Sequence, residues 1–340
     1  MVARWTFALI TLLLLNLMFS QPADAQETGK TIRVGIIGLD TSHVVHFTKA
    51  LNNPQKAAGL ASVQVVAAFP AGSPDVESSR TRVEGYTTQL REMGIEIVGS
   101  IDELLTKVDA VLLESVDGRP HLEQAKPVLR ARKPVFIDKP VAGSLTDALE
   151  IFRLAKEQGV PCFSSSSLRF SPGIQSLRNS PEVGDVLGCA VYSPCSLEEH
   201  HPDLFWYGVH GVEMLYTIMG PGCVSVTRAH ASGIDSVTGV WNDGRIATFR
   251  GIRDGKSGYG GVVFGSKAIA PVGSYAGYEP LLVEIVKFFK TGKPPVSADE
   301  TIELFAFMEA ADESKRQNGC PVKLDDVLQK ARQRSLSAGR

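Results

Sequence analysis

The run from Thr31 to Phe47 constrains the fold more than any other stretch. Its first part, with Ile32, Val34, Ile36 and Ile37, is an apolar segment of strand length that breaks at Gly38-Leu39-Asp40-Thr41-Ser42 into a helix starting near His43. A strand that turns through a glycine into a helix N-terminus aims backbone N–H groups and the positive end of the helix dipole at one spot. Such a spot suits a pyrophosphate. The spacing departs from G-x-G-x-x-G, however. Gly38 holds the first glycine place, Asp40 the second, where backbone must approach the phosphates, and His43 the third, where helix packs on strand. Asp40 also stands where an N-cap residue would, so its carboxylate is expected to cap the helix and to occupy the anion site itself.

Near the N-terminus, Arg4 precedes an apolar run from Phe7 to Phe19, and Ala23-Asp24-Ala25 supplies a small-x-small cleavage pattern. Residues 1–25 are therefore expected to be an export signal, and the mature chain to work in the periplasm or outside the cell with no membrane anchor. There is no twin-arginine pair, which implies export as an unfolded chain that acquires any cofactor afterwards. A formal charge of -2 gives no electrostatic case for nucleic acid. The five cysteines, Cys162, Cys189, Cys195, Cys223 and Cys320, form no C-x-x-C. One or two disulfides fit an oxidising compartment, although buried apolar thiols describe most of these residues better.

Further along, apolar strands are expected at Val63–Phe69, Ile95–Val98, Val108–Leu113, Pro134–Ile137 and Val160–Phe163. Helices fall between them, at Arg80–Met93, at Ile101–Lys107 capped by Ser100 with Glu103 three on, at Leu122–Ala131, and at Ser144–Gln158 closed by Gly159. This alternation implies a parallel sheet whose ligands bind at the carboxyl ends of the strands, where Asp40, Glu114 and Lys139 would stand. The second strand ends in Phe69-Pro70, with no acid for a ribose. The domain change is placed after the Ser164–Ser167 run, giving domains at 30–165 and 166–340. In the second half, a helix at Val209–Met219 precedes strands joined at Asn242-Asp243-Gly244 and Arg253-Asp254-Gly255, which predict antiparallel hairpins in an open sheet. Helices at Tyr278–Lys290 and Ala298–Asn318 are expected to close the chain.

This order of pieces resembles the Gfo/Idh/MocA family, the glucose-fructose oxidoreductase and inositol dehydrogenase type of sugar enzyme. Gly38 and His46 fall at the first glycine and the histidine of its opening motif, and His121 at the histidine of its P-N-x-x-H loop. Asp138-Lys139-Pro140 matches its E-K-P, Arg169-Phe170-Ser171-Pro172 its R-F-x-P, and Trp206 to Glu213 part of its D-x-G-x-H-x-x-D. The resemblance implies a Rossmann domain joined to an α/β domain with an open, mainly antiparallel sheet, often oligomeric through that sheet's outer face. It also implies hydride transfer between NAD or NADP and a sugar or polyol, with Lys139 and His210 as catalytic residues. The cofactor would lie along Gly38, Leu39, Asp40, Ser42, Glu114, Ser115, His121 and Lys139.

Lys139, at a strand end beside Asp138, is a candidate acid/base or hydroxyl-orienting group. His210 shares a helix face with Glu213. Glu198-Glu199-His200-His201-Pro202-Asp203 is dense in groups that suit a divalent ion or sugar hydroxyls, and Trp206 and Tyr207 could stack on a sugar face. Arg169, His200, His201, Trp206, Tyr207 and His210 are taken as substrate contacts, with no metal assigned. His200, His201 and His210 are expected to face one cleft. Two functions compete: a nicotinamide-dependent sugar oxidoreductase, and an exported NAD-independent lyase, hydrolase, isomerase or sugar-binding protein that kept the fold and lost the cofactor.

Overall fold

Apolar runs too short to be helices, each followed by a helix, assemble into a parallel sheet buried on both faces. The computed structural model describes residues 30–338, so the expected export signal lies outside the described residues. In the first half the strands are β1 (Ile32–Ile37), β2 (Val63–Phe69), β3 (Glu96–Ile97), β4 (Ala110–Leu113), β5 (Val135–Ile137) and β6 (Cys162–Ser164). The helices between them are α1 (His43–Asn52), α2 (Glu77–Arg80), α3 (Val83–Glu92), α4 (Ile101–Lys107), α5 (His121–Arg130) and α6 (Leu145–Gln158). The strand order is β3-β2-β1-β4-β5-β6, all parallel, which is the doubly wound dinucleotide-binding order.

The caps expected at Ser100 and Gly159 form, and Ser144, expected as the first residue of its helix, caps it instead. Ser100 Oγ accepts from the Glu103 N–H, Ser144 Oγ accepts from the Asp147 N–H, and Gly159 ends α6 in the left-handed region at φ 64°. The helix expected at Arg80–Met93 is α3, Val83–Glu92, and the short α2 before it was not expected. Ser79 of α2 accepts from the Ser73 N–H and donates to Asp40, which fixes α2 to the sheet edge at its own angle.

The second half contains α7 (Pro172–Gln175), β7 (Val186–Pro194), α8 (Val209–Met219), β8 (Cys223–Ala231), β9 (Ile234–Trp241) and β10 (Ile246–Ile252). Then come β11 (Gly260–Gly265), β12 (Ile269–Pro271), α9 (Glu279–Thr291), α10 (Ala298–Arg316), β13 (Val322–Lys323) and α11 (Leu324–Ala338). The seven strands run β12-β11-β7-β10-β9-β8-β13, antiparallel except for β7 beside β10. Asn242-Asp243-Gly244 makes the β9–β10 hairpin. The second expected hairpin does not form, because β7 takes the place between β10 and β11.

Helix α11 was not expected after Asn318, yet Leu324, Val327 and Ala331 are buried at one-turn spacing. Helix α9 returns to the first sheet: Leu281, Leu282, Ile285, Val286 and Phe288 join Val34, Ile36, Phe47, Phe136 and Phe163 in one core. From Thr31 onward the chain is thus one compact unit. All five cysteines are free, four of them buried and Cys320 exposed. No helix among the described residues is long and apolar enough to cross a membrane.

Candidate active site

Four strand ends of the first sheet deliver the polar loops: β1 gives Gly38 to Ser42, β2 gives Pro70 to Asp75, β4 gives Glu114 to Arg119, and β5 gives Asp138 and Lys139. The β1 turn is closed on the protein itself. The Gly38 N–H donates to the Phe69 carbonyl and the Leu39 N–H to the Ala71 carbonyl, both at 3.1 Å. Gly38 has φ 87°, and a Cβ there would lie 2.4 Å from Ser115 N and Oγ, so this glycine serves the contact between two loops. Asp40 is fully buried but does not cap α1. Its Oδ1 accepts from the Val116 N–H at 2.9 Å and its Oδ2 from the Ser79 hydroxyl at 2.6 Å, while the N-cap is Ser42, whose side chain makes no capping bond. Burial raises the Asp40 pKa, against the bonds from Ser79 and Val116.

A second network seals the rim. Asp117, fully buried, accepts from the Ser73 hydroxyl at 2.5 Å and meets His201 Nε2 at 2.7 Å; Arg119 binds both Asp117 and Asp75. Burial alone would raise the Asp117 pKa, but bonds from His201, Arg119 and Ser73 hold it far below the usual carboxylate range. His121 braces the β4 loop, its ring nitrogens meeting the Ser115 carbonyl at 2.8 Å and the Val141 carbonyl at 3.3 Å.

The turn and its neighbours therefore depart from the G-x-G-x-x-G dinucleotide pattern. A buried carboxylate stands at the β1 turn, the turn's first two N–H groups are bonded to the protein, the acid of the β2 loop, Asp75, comes six residues after the strand and is paired with Arg119, and His201 from the second half reaches the β4 loop.

Beside this sealed rim, two adjoining cavities of about 280 and 310 Å³ remain open between the halves, and both are lined by Arg82, Val116, Lys139 and Tyr207. The first also has Ser42, His43, His210, Tyr259, Tyr275 and Tyr278 in its wall, and the second has Trp206 and Glu198. Among the described residues, no carboxylate comes within 4.0 Å of the Lys139 ammonium, so it is available to a ligand. His210 Nδ1 is 2.8 Å from Ser166 Oγ, which fixes the ring and leaves Nε2 for a ligand. Burial, reinforced by the charge of Lys139, depresses the His210 pKa well below 6.5 and keeps the ring neutral. Burial pushes the phenols of Tyr259 and Tyr275 up, the latter to about 12, so both remain hydrogen-bond donors.

Several expected substrate contacts lie elsewhere. His201 is spent on Asp117, and the half-buried His200 pairs with Glu198, so of the three histidines His210 alone is among the residues lining these two cavities. Arg169 is buried in ion pairs with Glu213 and Glu300, within the second half. Glu213 serves Arg169 and Ser165, and the partner of His210 is Ser166. The 198–203 stretch disperses, with Asp203 paired to Arg228 and Lys315. Trp206, Tyr207 and His210 do line the cavities. Tyr259, Tyr275 and Tyr278 went unread in the sequence, although aromatic residues flanked by glycines in loops were a usable signal.

At the floor below His43 lie two buried carboxylates. His43 Nδ1 is 2.9 Å from Asp138 Oδ2 and 3.6 Å from Glu114 Oε2. Burial would lower the His43 pKa, but Asp138 and Glu114 raise it to about 9; burial and the Asp138 charge raise that of Glu114, while His43 and Lys139 outweigh burial and lower that of Asp138.

The fold and cleft are those of a Rossmann-type domain carrying an open-sheet α/β partner. Residues 32–166 match the model of the Gfo/Idh/MocA family, described as an oxidoreductase family with an NAD-binding Rossmann fold. An inositol 2-dehydrogenase from Saccharopolyspora erythraea is 23% identical over 206 residues, covering 57% of this chain and 56% of its own. A 1,5-anhydro-D-fructose reductase from Ensifer adhaerens is 30% identical over 151 residues, covering 42% and 45%. The chain spans about half the length of the curated relatives it matches. A scyllo-inositol dehydrogenase from Lactobacillus casei, solved with NAD(H) and scyllo-inositol, shares the fold: TM-score 0.70, 15% identity, 87% of this chain and 100% of that one.

Proposed function

We propose that the protein is an exported enzyme that performs acid–base chemistry on a sugar or polyol in the interdomain cavity, without hydride transfer to a nicotinamide. The observation that carries this reading is the contrast along one sheet edge. Asp40 stands in the β1 turn tied to Ser79 and Val116, where a dinucleotide site has a glycine, while the space around Lys139 and His210 stays open. Removing a proton from a carbon next to a carbonyl needs a neutral base and a cation near the developing oxyanion. His210 accepts the proton, Lys139 stabilises the oxygen, and the electron pair either returns by reprotonation (isomerisation) or expels a β-hydroxyl as water (elimination). Tyrosine hydroxyls and the face of Trp206 suit a polyhydroxylated ring.

The family match favours a second reading, oxidation of a sugar or polyol with NAD or NADP. The two separate in one experiment. Sugars and keto-sugars are incubated with the mature protein in D2O without nicotinamide and followed by NMR. Acid–base turnover gives carbon-bound deuterium or a dehydrated product, and Lys139→Ala lowers its rate by about 100-fold or more while the melting temperature holds. Turnover that requires added NAD or NADP would establish the second reading.

A further inference from the structure

We propose that His43, Glu114 and Asp138 form a binding site for one divalent transition-metal ion at the floor of the cavity. The three residues come from the N-terminus of α1 and the ends of β4 and β5, so the sheet itself brings them together. Their donor atoms lie within 4.8 Å of one another. Metal bonds of about 2.1 Å place neighbouring donors roughly 3.0 to 3.4 Å apart, and the observed separations from His43 Nδ1 are 2.9 and 3.6 Å.

The second observation is that the site lacks donors. Glu114 is fully buried and Asp138 is 1% exposed, yet all four of their carboxylate oxygens, and His43 Nδ1, have no aligned hydrogen-bond partner. Buried carboxylates in native structures are paired or ligate metals. His43 can direct a single proton from Nδ1 at one oxygen of four, and the Lys139 ammonium makes no ion pair with either acid. A divalent ion satisfies the whole set. One imidazole with two carboxylates suits an ion of the zinc or manganese type better than calcium, which prefers an all-oxygen shell. Three protein ligands leave positions for water or a ligand oxygen, and His43 is the member of the trio that lines the cavity. Binding of the ion stands apart from the function proposed above. Its role, polarising a sugar carbonyl beside Lys139, rests on that reading.

The test uses the mature protein, stripped with a chelator and titrated with Co2+, whose visible absorption reports its ligands. One equivalent is expected to bind, to raise the melting temperature and to be displaced by Zn2+. Glu114→Gln and Asp138→Asn, each checked for folding by circular dichroism, are expected to weaken Co2+ binding at least 10-fold. Substoichiometric binding by the wild type, or equal binding by both folded variants, would overturn the site. Because the readout is binding, failure of the metal site and failure of the proposed chemistry are distinguishable.

Discussion

Asp117 shows how one residue can decide what an edge of a sheet is used for. Its carboxylate ties Ser73 from the β2 loop, Arg119 from its own loop and His201 from the second half, over strand ends where a dinucleotide would lie. Its pKa is depressed in the folded protein, so its contribution to stability is complete above the unfolded value, about 3.9, and is lost as pH falls through the folded one. Asp117→Asn is expected to cost about 3 kcal/mol at pH 7. The gap between variant and wild type should narrow progressively below about pH 4. Denaturant titrations at pH 7 and pH 3 check this; a gap that is the same at both would show that the charge does not matter. Little of this was legible in the sequence. His201 stood out for its neighbours in the chain, but its partner lies 84 positions away, and no local pattern pairs them. The His43, Glu114 and Asp138 cluster is hidden in the same way, since each member closes a different strand or opens a different helix.

At the scale of elements the sequence spoke more clearly. Strands of the first sheet, the caps of α4 and α6 and the hairpin at Asn242-Asp243-Gly244 follow from local chemistry and form as expected. Strand neighbours in the second sheet do not follow locally, which is why β7 between β10 and β11 came as a correction. That sheet also has a legible consequence. Register places Tyr192, Ile246, Val262, Phe264 and Ile269 on its outer face, 36% to 70% exposed, while Val191, Phe249 and Val263 face inward and are buried. An exposed apolar face of this kind marks an interface, and we propose that copies of the chain pair across it. Light scattering after gel filtration should find an oligomer for the wild type and a monomer for the double variant Ile246→Glu, Phe264→Glu. A monomeric wild type would contradict the proposal.

The whole molecule is built on a parallel sheet in the doubly wound order whose carboxyl-end loops bond to one another through Asp40 and Asp117. The fold is shared with the scyllo-inositol dehydrogenase structure, and Asp40, His43 and Phe69-Pro70 stand where the dinucleotide motif has its phosphate and ribose contacts. The function proposed above, on a kept fold without the cofactor, rests on the tied β1 turn and the open cavity together. The most direct test is a titration of the wild-type protein with NADH, followed by nicotinamide fluorescence. The account predicts no saturation up to about 1 mM, whereas saturation near 1 μM, quenched by excess NAD, would contradict it.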